Sequence, residues 1–272
     1  MNEIRYPLTF SNEPIKYSYC TCNFYTGCNN ACEYCCCINI LRESWKDNVR
    51  LLYKSKKEAL QRFKEQVGEN LEKLQEYGVF FSLITDPLLK STKDLTYQAI
   101  NYCIKHDIPF KILTKRADWG TDEFLKTYPE DKKHLAHFGF SLTGEDQFET
   151  RASSNQQRID LMKSLYLDGF KTWVSAEPII DVNSTIKVLQ ASKDFCYMVR
   201  FEVLSMGHYK SRELSCVYNI RDLMDLYKWV EHNLRGKLVY WGDGFLKNMG
   251  LDRGQTNSTG TGDLIIELDE GH

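Results

Sequence analysis

A dense group of cysteines is the feature of this sequence with the clearest chemical potential. The chain has 10 cysteines, and seven of them lie between positions 20 and 37. Cys28, Cys32 and Cys35 have the spacing C-x3-C-x2-C. Three thiolates on one short loop can hold three corners of a cubane 4Fe-4S cluster, and the fourth iron then stays open to another ligand. An open position is typical of catalytic metal sites, so this spacing predicts a catalytic iron–sulfur centre.

The same cysteines leave two alternatives. A zinc site could use three or four of them, but zinc ribbons usually carry a second cysteine or histidine pair downstream, and the sequence has none at such a spacing. A disulfide framework is typical of short secreted chains, whereas this chain has 272 residues and begins without a recognisable export signal. We therefore expect iron–sulfur ligation, with zinc as the alternative.

The other cysteines have a simpler expected role. They are Cys20, Cys22, Cys36, Cys37, Cys103, Cys196 and Cys216. Those that flank the three ligands could form a second metal site or supply a hydrogen-donating thiol. Free cysteine also packs well in a protein interior, and auxiliary clusters usually draw their cysteines from further along the chain. Burial is therefore the expected role of these residues.

Alternating apolar strands and amphipathic helices must position the cysteine loop. Strands are predicted at Tyr19–Tyr25, Val79–Ile84, Phe110–Leu113, His137–Leu142, Thr172–Ser175, Met198–Leu204, Leu238–Trp241 and Leu264–Leu268. Helices are predicted at Glu43–Tyr77, Leu95–Lys105, Thr121–Tyr128, Gln156–Asp168, Ser184–Ala191 and Arg221–Leu234. Nearly continuous apolar strands separated by helices indicate a parallel sheet wrapped by helices. The pattern predicts an α/β fold, a partial (β/α)6-type parallel barrel that is open on one side.

Polar residues lie at or just after the ends of four predicted strands. They are Thr85 with Asp86, Lys115, Ser141 and Glu177. The C-terminal ends of parallel barrel strands form one rim, and active sites lie there. Because the cysteine loop also follows a strand, we expect all of these groups at one mouth of the barrel.

The composition is that of an ordinary globular chain. The net charge is −2, with 42% hydrophobic and 26% charged residues, which excludes a disordered chain and a wholesale basic surface for nucleic acid. No apolar run is long enough to span a bilayer, so we expect a cytoplasmic protein. We predict three parts: an N-terminal extension over residues 1–18, the barrel core over 19–205, and an extension over 206–272 that closes the barrel or contacts substrate.

The cysteine loop resembles that of the radical S-adenosylmethionine (SAM) superfamily. A closer likeness, over residues 20–205, is to its spore-photoproduct-lyase-like branch, whose loop reads N-x-Y-x-G-C-x3-C-x-Y-C. This chain matches that loop with Asn23, Tyr25, Gly27, Cys28, Cys32, Tyr34 and Cys35. The likeness implies a 4Fe-4S cluster that binds SAM through its open iron. It also implies that one electron cleaves SAM to methionine and a 5′-deoxyadenosyl radical, which takes a hydrogen atom from the substrate.

The resemblance implies six SAM-binding residues on the rim: Tyr34, Thr85, Asp86, Lys115, Ser141 and Glu177. The lysine and the serine would hold the SAM carboxylate, and the threonine–aspartate pair would face its amino group. The tyrosine would flank the adenine, and the glutamate would reach a ribose hydroxyl. Simple electrostatics agrees, because an ammonium suits a carboxylate and an acid suits an amine.

One position departs from the branch. Spore photoproduct lyases carry a hydrogen-donating cysteine three residues before the aspartate that Asp86 matches, and this chain has Leu83 there. A repair reaction that relies on that thiol is not implied, so the substrate stays open among nucleic acid, peptide and small metabolite. We expect an external one-electron reductant of the flavodoxin or ferredoxin type. The second hypothesis is a non-catalytic iron–sulfur or zinc module for nucleic-acid binding or redox sensing.

A few further polar residues have two readings each. Arg151 and Arg158 could bind a SAM carboxylate or a substrate phosphate, or they could be ordinary surface charges. The segment Trp-Gly-Asp-Gly-Phe at 241–245 could close the open side of the barrel or contact substrate. Three scattered histidines are expected to be structural: His134, His137 and His208.

Overall fold

Within the residues that the structure describes, eight strands form one sheet. The structure is a computed structural model and describes residues 6–15, 17–35, 37, 48–204 and 219–251. The strands of this sheet are β1 (Leu8–Ile15), β2 (Ser18–Cys22), β5 (Val79–Phe81), β6 (Phe110–Thr114), β7 (Ala136–Ser141), β8 (Lys171–Ile179), β9 (Met198–Val203) and β10 (Leu238–Trp241). Two short strands, β3 (Tyr25–Thr26) and β4 (Arg50–Leu51), form a separate antiparallel pair.

Helices connect most of the parallel strands. They are α1 (Lys56–Glu69), α2 (Leu71–Tyr77), α3 (Lys93–Lys105), α4 (Glu123–Lys126), α5 (Asn155–Leu167), α6 (Val182–Ser192), α7 (Ile220–Asn233) and α8 (Asp243–Met249). Local sequence sets where these helices begin. Ser154, for example, accepts a hydrogen bond from the backbone amide of Gln157, whose side chain bonds back to the Ser154 amide. This capping box satisfies backbone donors that the first turn of α5 leaves unpaired.

The order of the strands makes the fold a partial barrel. The sheet runs β1-β2-β5-β6-β7-β8-β9-β10, with β1 antiparallel to β2 and every later neighbouring pair parallel. Among the described residues, no pairing joins β10 back to β1, so the sheet is open on one side. The predicted α/β partial parallel barrel is confirmed.

Successive side chains of each strand alternate between the face of the sheet that the helices cover and the inner face of the barrel. Phe138 and Phe140 of β7 pack in the main apolar core together with Ile159 of α5. Gly139 lies between them and is the register partner of Trp173 on β8. A Cβ on Gly139 would lie 2.2 Å from the Trp173 ring, so the ring covers the inner face only because a glycine lies opposite it.

The predicted helix Glu43–Tyr77 is confirmed over most of its described part, from Lys56 to Tyr77, but its predicted start and its continuity are wrong. The strand β4 occupies Arg50–Leu51, and the helix begins only after Ser55, whose hydroxyl accepts a backbone amide of the first turn. A break at Asn70 then separates α1 from α2. The apolar spacing continues through residues 49–52, but those residues pair with the chain just ahead of the cysteine loop and so cannot be helical.

Several other boundaries also differ from the prediction. The strand β1 was not predicted, and β2 ends at Cys22 rather than Tyr25. The chain leaves the sheet at Asn23, whose side-chain oxygen accepts the Ser82 hydroxyl and the Leu83 amide. The predicted helix at 121–128 shortens to α4, which begins after its N-cap Asp122, and Pro129 disfavours a helical conformation at Tyr128.

The predicted division into three parts stays a prediction. The flanking strands β1 and β10 both pair with the central sheet. The predicted strand Leu264–Leu268 lies outside the described residues. In the part of the chain that the structure describes, no helix has the length and apolar character needed to cross a membrane.

Candidate functional site

The cysteine loop follows β3. Its first residues pack against the backbone of Asn48, in the segment that leads through β4 to α1. Gly27 has φ 86°, and a Cβ there would lie 2.1 Å from the backbone oxygen of Asn48. Only glycine fits this approach, which explains the glycine before the first cysteine of the motif. Cys32 is buried, and Cys28 and Cys35 are half-buried.

The three thiols of this loop influence one another. Burial raises the pKa of Cys28 to about 12, and Asp86 and Cys35 act in the same direction. Burial also raises the pKa of Cys32 to about 12, and Lys115 opposes that rise. Cys28 and Cys35 both add to the rise at Cys32. Lys115 favours the thiolate form that a metal ligand must take.

The donor set of the loop fits an iron–sulfur cluster. Among the described residues, no group of three or more His, Cys, Asp or Glu side chains is arranged to hold a single metal ion. A cubane cluster instead takes its cysteine ligands on different irons, so it does not require the thiols to converge on one point. Three neighbouring thiols on one short loop, beside a lysine, are compatible with such a cluster.

The Asp86 carboxylate ties the cysteine loop to two strands. It accepts the side-chain amide of Asn30 at 2.7 Å, the hydroxyl of Thr114 at 2.7 Å and the backbone amide of Lys115 at 2.9 Å. Asp86 follows β5, whereas Thr114 ends β6 and Asn30 lies between the first two cysteines of the motif. One carboxylate thus fixes the loop and two strand ends relative to each other.

A second carboxylate, Glu149, joins the cysteine loop to Lys115. It accepts hydrogen bonds from the Tyr34 hydroxyl and from the Arg158 guanidinium. Lys115 Nζ lies 3.5 Å from Glu149 Oε1 and 5.4 Å from the centre of the Tyr34 ring. Although burial opposes ionisation, Lys115 and Arg158 hold the pKa of Glu149 below its usual value. Glu149 therefore brings together two of the candidate cofactor-binding residues, Tyr34 of the cysteine loop and Lys115.

Arg158 and Glu149 have roles in this group that the sequence did not predict. Arg158 is fully buried, so the surface reading is wrong; it pairs with Glu149 and donates to the backbone oxygen of Ser141. Ser141 is buried at the end of β7. Glu149 itself was not predicted, because a single glutamate in a polar stretch forms no pattern.

Thr85 is buried, and its hydroxyl donates to the backbone oxygen of Tyr25 at 3.1 Å.

Glu177 belongs to a different group of residues. Its carboxylate accepts the Tyr17 hydroxyl and the Arg200 Nε. The Arg200 guanidinium lies 4.3 Å from the centre of the Tyr17 ring and 4.1 Å from that of Tyr240. These contacts join β8, β9, β10 and the turn between β1 and β2. No sequence motif indicated Tyr17, Arg200 or Tyr240.

Contacts also account for the glycines at 241–245 and for one histidine. A Cβ on Gly242 or Gly244 would lie 2.3 or 2.5 Å from the Glu202 carboxylate, which accepts the Gly244 amide at 3.2 Å. The glycines therefore make room for this carboxylate at the start of α8. His137 is buried, and its Nδ1 lies 2.8 Å from the Tyr197 hydroxyl, which fits the expected structural role.

The cysteines outside the motif separate into two sets. Four are buried, as expected: Cys20, Cys22, Cys103 and Cys196. Cys37 is half-buried. Cys36 and Cys216 lie outside the described residues, as does His208.

With the geometry established, the chain can be compared with known proteins. Neither a protein-family model nor a curated protein matches the sequence. A solved structure of spore photoproduct lyase complexed with dinucleoside spore photoproduct matches with a TM-score of 0.64 and 16% identity, over 88% of this chain and 81% of that one. A mutant of that lyase with bound AdoMet and dinucleoside spore photoproduct matches with a TM-score of 0.62 and 16% identity, over 82% and 76%. This chain has the fold of spore photoproduct lyase.

A second kind of protein shares this fold. Streptococcus suis SuiB bound to the precursor peptide SuiA matches with a TM-score of 0.57 and 14% identity, over 89% of this chain and 52% of SuiB. The chain thus spans about half the length of SuiB. Identities this low show the fold alone. The roles of residues in this spore-photoproduct-lyase fold must therefore be argued from their own contacts.

Proposed function

We propose that this chain is a radical SAM enzyme that binds a 4Fe-4S cluster through Cys28, Cys32 and Cys35. The observation that carries the proposal is the contact that Glu149 makes between the cysteine loop and Lys115. It links the metal ligands to the lysine proposed to bind SAM. The fold supports the proposal, since a spore photoproduct lyase of the same fold has been solved with bound AdoMet.

The charges around Lys115 suit an amino acid. Arg158 pairs closely with Glu149 and also lies 3.5 Å from Asp146, whereas Lys115 lies 3.5 Å from Glu149 and is the more exposed cation, so Lys115 is the one that a ligand carboxylate can reach. On the other side lies the Asp86 carboxylate, whose two oxygens already accept four hydrogen bonds, so it would reach a ligand amine by exchanging or sharing one of them. The methionine end of SAM carries both an amino group and a carboxylate. This arrangement supports Lys115 as the carboxylate partner and Asp86 as the amine partner.

The remaining proposed contacts complete the cofactor site. Ser141 would join Lys115 at the carboxylate, Thr85 would lie beside the amine, and Tyr34 would offer its ring to the adenine. Glu177 already accepts hydrogen bonds from two side chains, so it would reach a ribose by exchanging or sharing one of them. When bound, the cluster supplies an electron to SAM, and SAM supplies a hydrogen-abstracting radical.

The surroundings of the loop favour reactive chemistry by excluding water. Cys32, Tyr34, Ile180 and Leu204 form a buried apolar cluster, and Phe148 packs against it. A dry wall beside the cofactor protects a radical from side reactions. The protein's part is therefore to bind, orient and shield the cofactors.

The substrate and the electron donor belong to the proposal in general terms only. Leu83 stands at the position of the lyase hydrogen donor and packs against a buried cluster that includes Phe80 and Trp173. We therefore propose no thiol-dependent repair reaction. The substrate is a nucleic acid, a peptide or a small metabolite, and the electron donor is an external flavodoxin or ferredoxin.

One experiment separates this proposal from a non-catalytic iron–sulfur or zinc module. The chain is reconstituted anaerobically with iron and sulfide, reduced with dithionite and supplied with SAM, and 5′-deoxyadenosine is measured. The proposal predicts 5′-deoxyadenosine from the loaded chain and none from a Cys28→Ala variant treated in the same way. A fully loaded cluster that yields no 5′-deoxyadenosine would favour the binding module.

A further inference from the structure

The two carboxylate oxygens of Glu149 have different partners. Oε2 is paired with Arg158, whereas Oε1 accepts the Tyr34 hydroxyl and faces Lys115 Nζ. The Glu149 side chain is 1% exposed and that of Arg158 is 0% exposed. The Lys115 side chain is 14% exposed, so it is the part of this group that opens toward solvent. Glu149 therefore connects a buried anchor to a more accessible lysine.

The backbone holds Glu149 in the same place. The amide of Glu33, in the cysteine loop, donates to the backbone oxygen of Phe148 at 3.0 Å. The next residue in each segment, Tyr34 after Glu33 and Glu149 after Phe148, joins the other through its side chain. The cysteine loop and the segment after β7 thus meet at two successive positions, which restricts how Glu149 can move.

Lys115 is guided by Glu149 without being closely bound to it. The separation of 3.5 Å between Nζ and Oε1 is longer than a normal charged hydrogen bond, which is about 2.7–2.9 Å. The Lys115 ammonium therefore keeps donors available for a ligand. Its place above the Tyr34 ring, 5.4 Å from the centre, adds a second weak restraint.

We propose that Glu149 is a positioning residue that holds Lys115 and the Tyr34 ring where both meet SAM. This inference rests on the proposed function, because it concerns the orientation of the proposed SAM site. Glu149 does not touch the cofactor; it acts through Lys115 and Tyr34. Its anchor is Arg158, which reaches it from α5.

The sign of the effect distinguishes positioning from simple charge. Glu149→Gln removes a negative charge beside Lys115, and Coulomb's law alone would then strengthen binding of the SAM carboxylate. A positioning role predicts the opposite, because Lys115 loses the group that restrains it. SAM as a whole is cationic, so loss of a nearby negative charge would weaken binding of decarboxylated SAM, which lacks the carboxylate, at least as much as binding of SAM. A loss that falls on SAM and spares decarboxylated SAM therefore comes from lost positioning.

The test is a double-mutant cycle on the cluster-loaded full chain, with binding measured by equilibrium dialysis. Wild type, Glu149→Gln, Lys115→Ala and the double variant are titrated with SAM and with decarboxylated SAM. We expect Glu149→Gln to raise the SAM Kd about tenfold and the Kd for decarboxylated SAM less than about twofold. In the Lys115→Ala background, Glu149→Gln should change the SAM Kd by less than about twofold.

Matched variants keep the result interpretable. Glu145→Gln changes another buried carboxylate in the same segment between β7 and α5, and it should leave SAM binding unchanged. Glu149→Asp keeps the charge and should recover part of the affinity. Cluster absorbance and circular dichroism report loading and folding of each variant.

Three results would overturn the inference: tighter SAM binding by Glu149→Gln, equal loss for both ligands, or additive effects in the cycle. If wild type with a full cluster binds neither ligand, the proposed function itself fails. That outcome is distinct from a cycle in which wild type binds SAM and Glu149 shows no coupling to Lys115.

Discussion

Two groups of cysteines lie close together in the sequence and have different surroundings in the fold. Cys20 and Cys22 lie on β2, two residues apart, and both pack in the main apolar core. Burial raises the pKa of Cys22, and the nearby Cys20 and Cys103 add to that rise. Cys28 and Cys32 lie on the loop instead, and a charged group, Asp86 or Lys115, acts on each thiol.

This comparison shows that cysteine density alone does not define a site. Alternation along a strand sends Cys20 and Cys22 to the helix-covered face, where cysteine behaves as a small apolar residue. The loop brings its thiols to the side of Lys115. Changes to the loop should therefore affect the cofactors, whereas changes to β2 should affect the stability of the fold.

The largest expected effect is the loss of the cluster. Replacing Cys28, Cys32 or Cys35 with alanine should abolish the broad cluster absorbance near ~400 nm and all SAM cleavage, because three thiolates are the smallest set that holds the cubane. Absorbance, iron content and 5′-deoxyadenosine are measured after anaerobic reconstitution. Cys22→Ala is the matched control and should load a full cluster. A full cluster in Cys35→Ala together with its loss in Cys36→Ala would show that the ligand assignment is shifted.

The next expected effect concerns the buried carboxylate beside the loop. Glu149→Gln removes the charge that pairs with Arg158 and should lower the free energy of unfolding at pH 7 by about 3–5 kcal/mol. Because the folded-state pKa of Glu149 is lowered, its stabilisation is present above the ordinary glutamate pKa and is lost as pH falls through the lowered value. Thermal unfolding at several pH values should therefore show the two proteins converging toward acid. A constant gap between them would contradict this account.

More of the fold could be predicted from the sequence than of the contacts among the residues of the site. Apolar runs separated by helices were enough to predict the parallel sheet, because buried parallel strands need apolar residues on both faces. The spacing of Cys28, Cys32 and Cys35 likewise marked the loop. The bond between Tyr34 and Glu149 joins residues 115 positions apart and has no local pattern. Such contacts depend on strand order and packing, which a single sequence does not specify.

A smaller effect is expected at the lysine of the rim. Lys115→Ala removes the proposed charge-assisted contact to the SAM carboxylate, worth about 1.5–3 kcal/mol, or about ten- to a hundredfold in affinity. The cluster should remain, since no iron ligand changes, and higher SAM concentrations should restore part of the cleavage. Lys105→Ala removes an exposed lysine at the end of α3 and should leave the SAM titration close to wild type. Identical titrations for wild type and Lys115→Ala would make Lys115 an ordinary rim lysine.

The smallest expected effect returns to β2 and tests the other half of the comparison. Cys22 is 1% exposed in the apolar core, so Cys22→Ala leaves a small cavity and should lower the free energy of unfolding by about 1–2 kcal/mol. Cys28→Ala, on the half-buried loop, should cost less than about 0.5 kcal/mol when both variants are unfolded without the cluster. Denaturant unfolding of the cluster-free chains measures both values, and cluster loading of Cys22→Ala is measured in parallel. Cys22→Val fills the site with a residue of similar size and should recover most of the loss. If Cys22→Ala keeps its stability but loses the cluster, then β2 contributes to the metal centre and the separation between the two groups of cysteines fails.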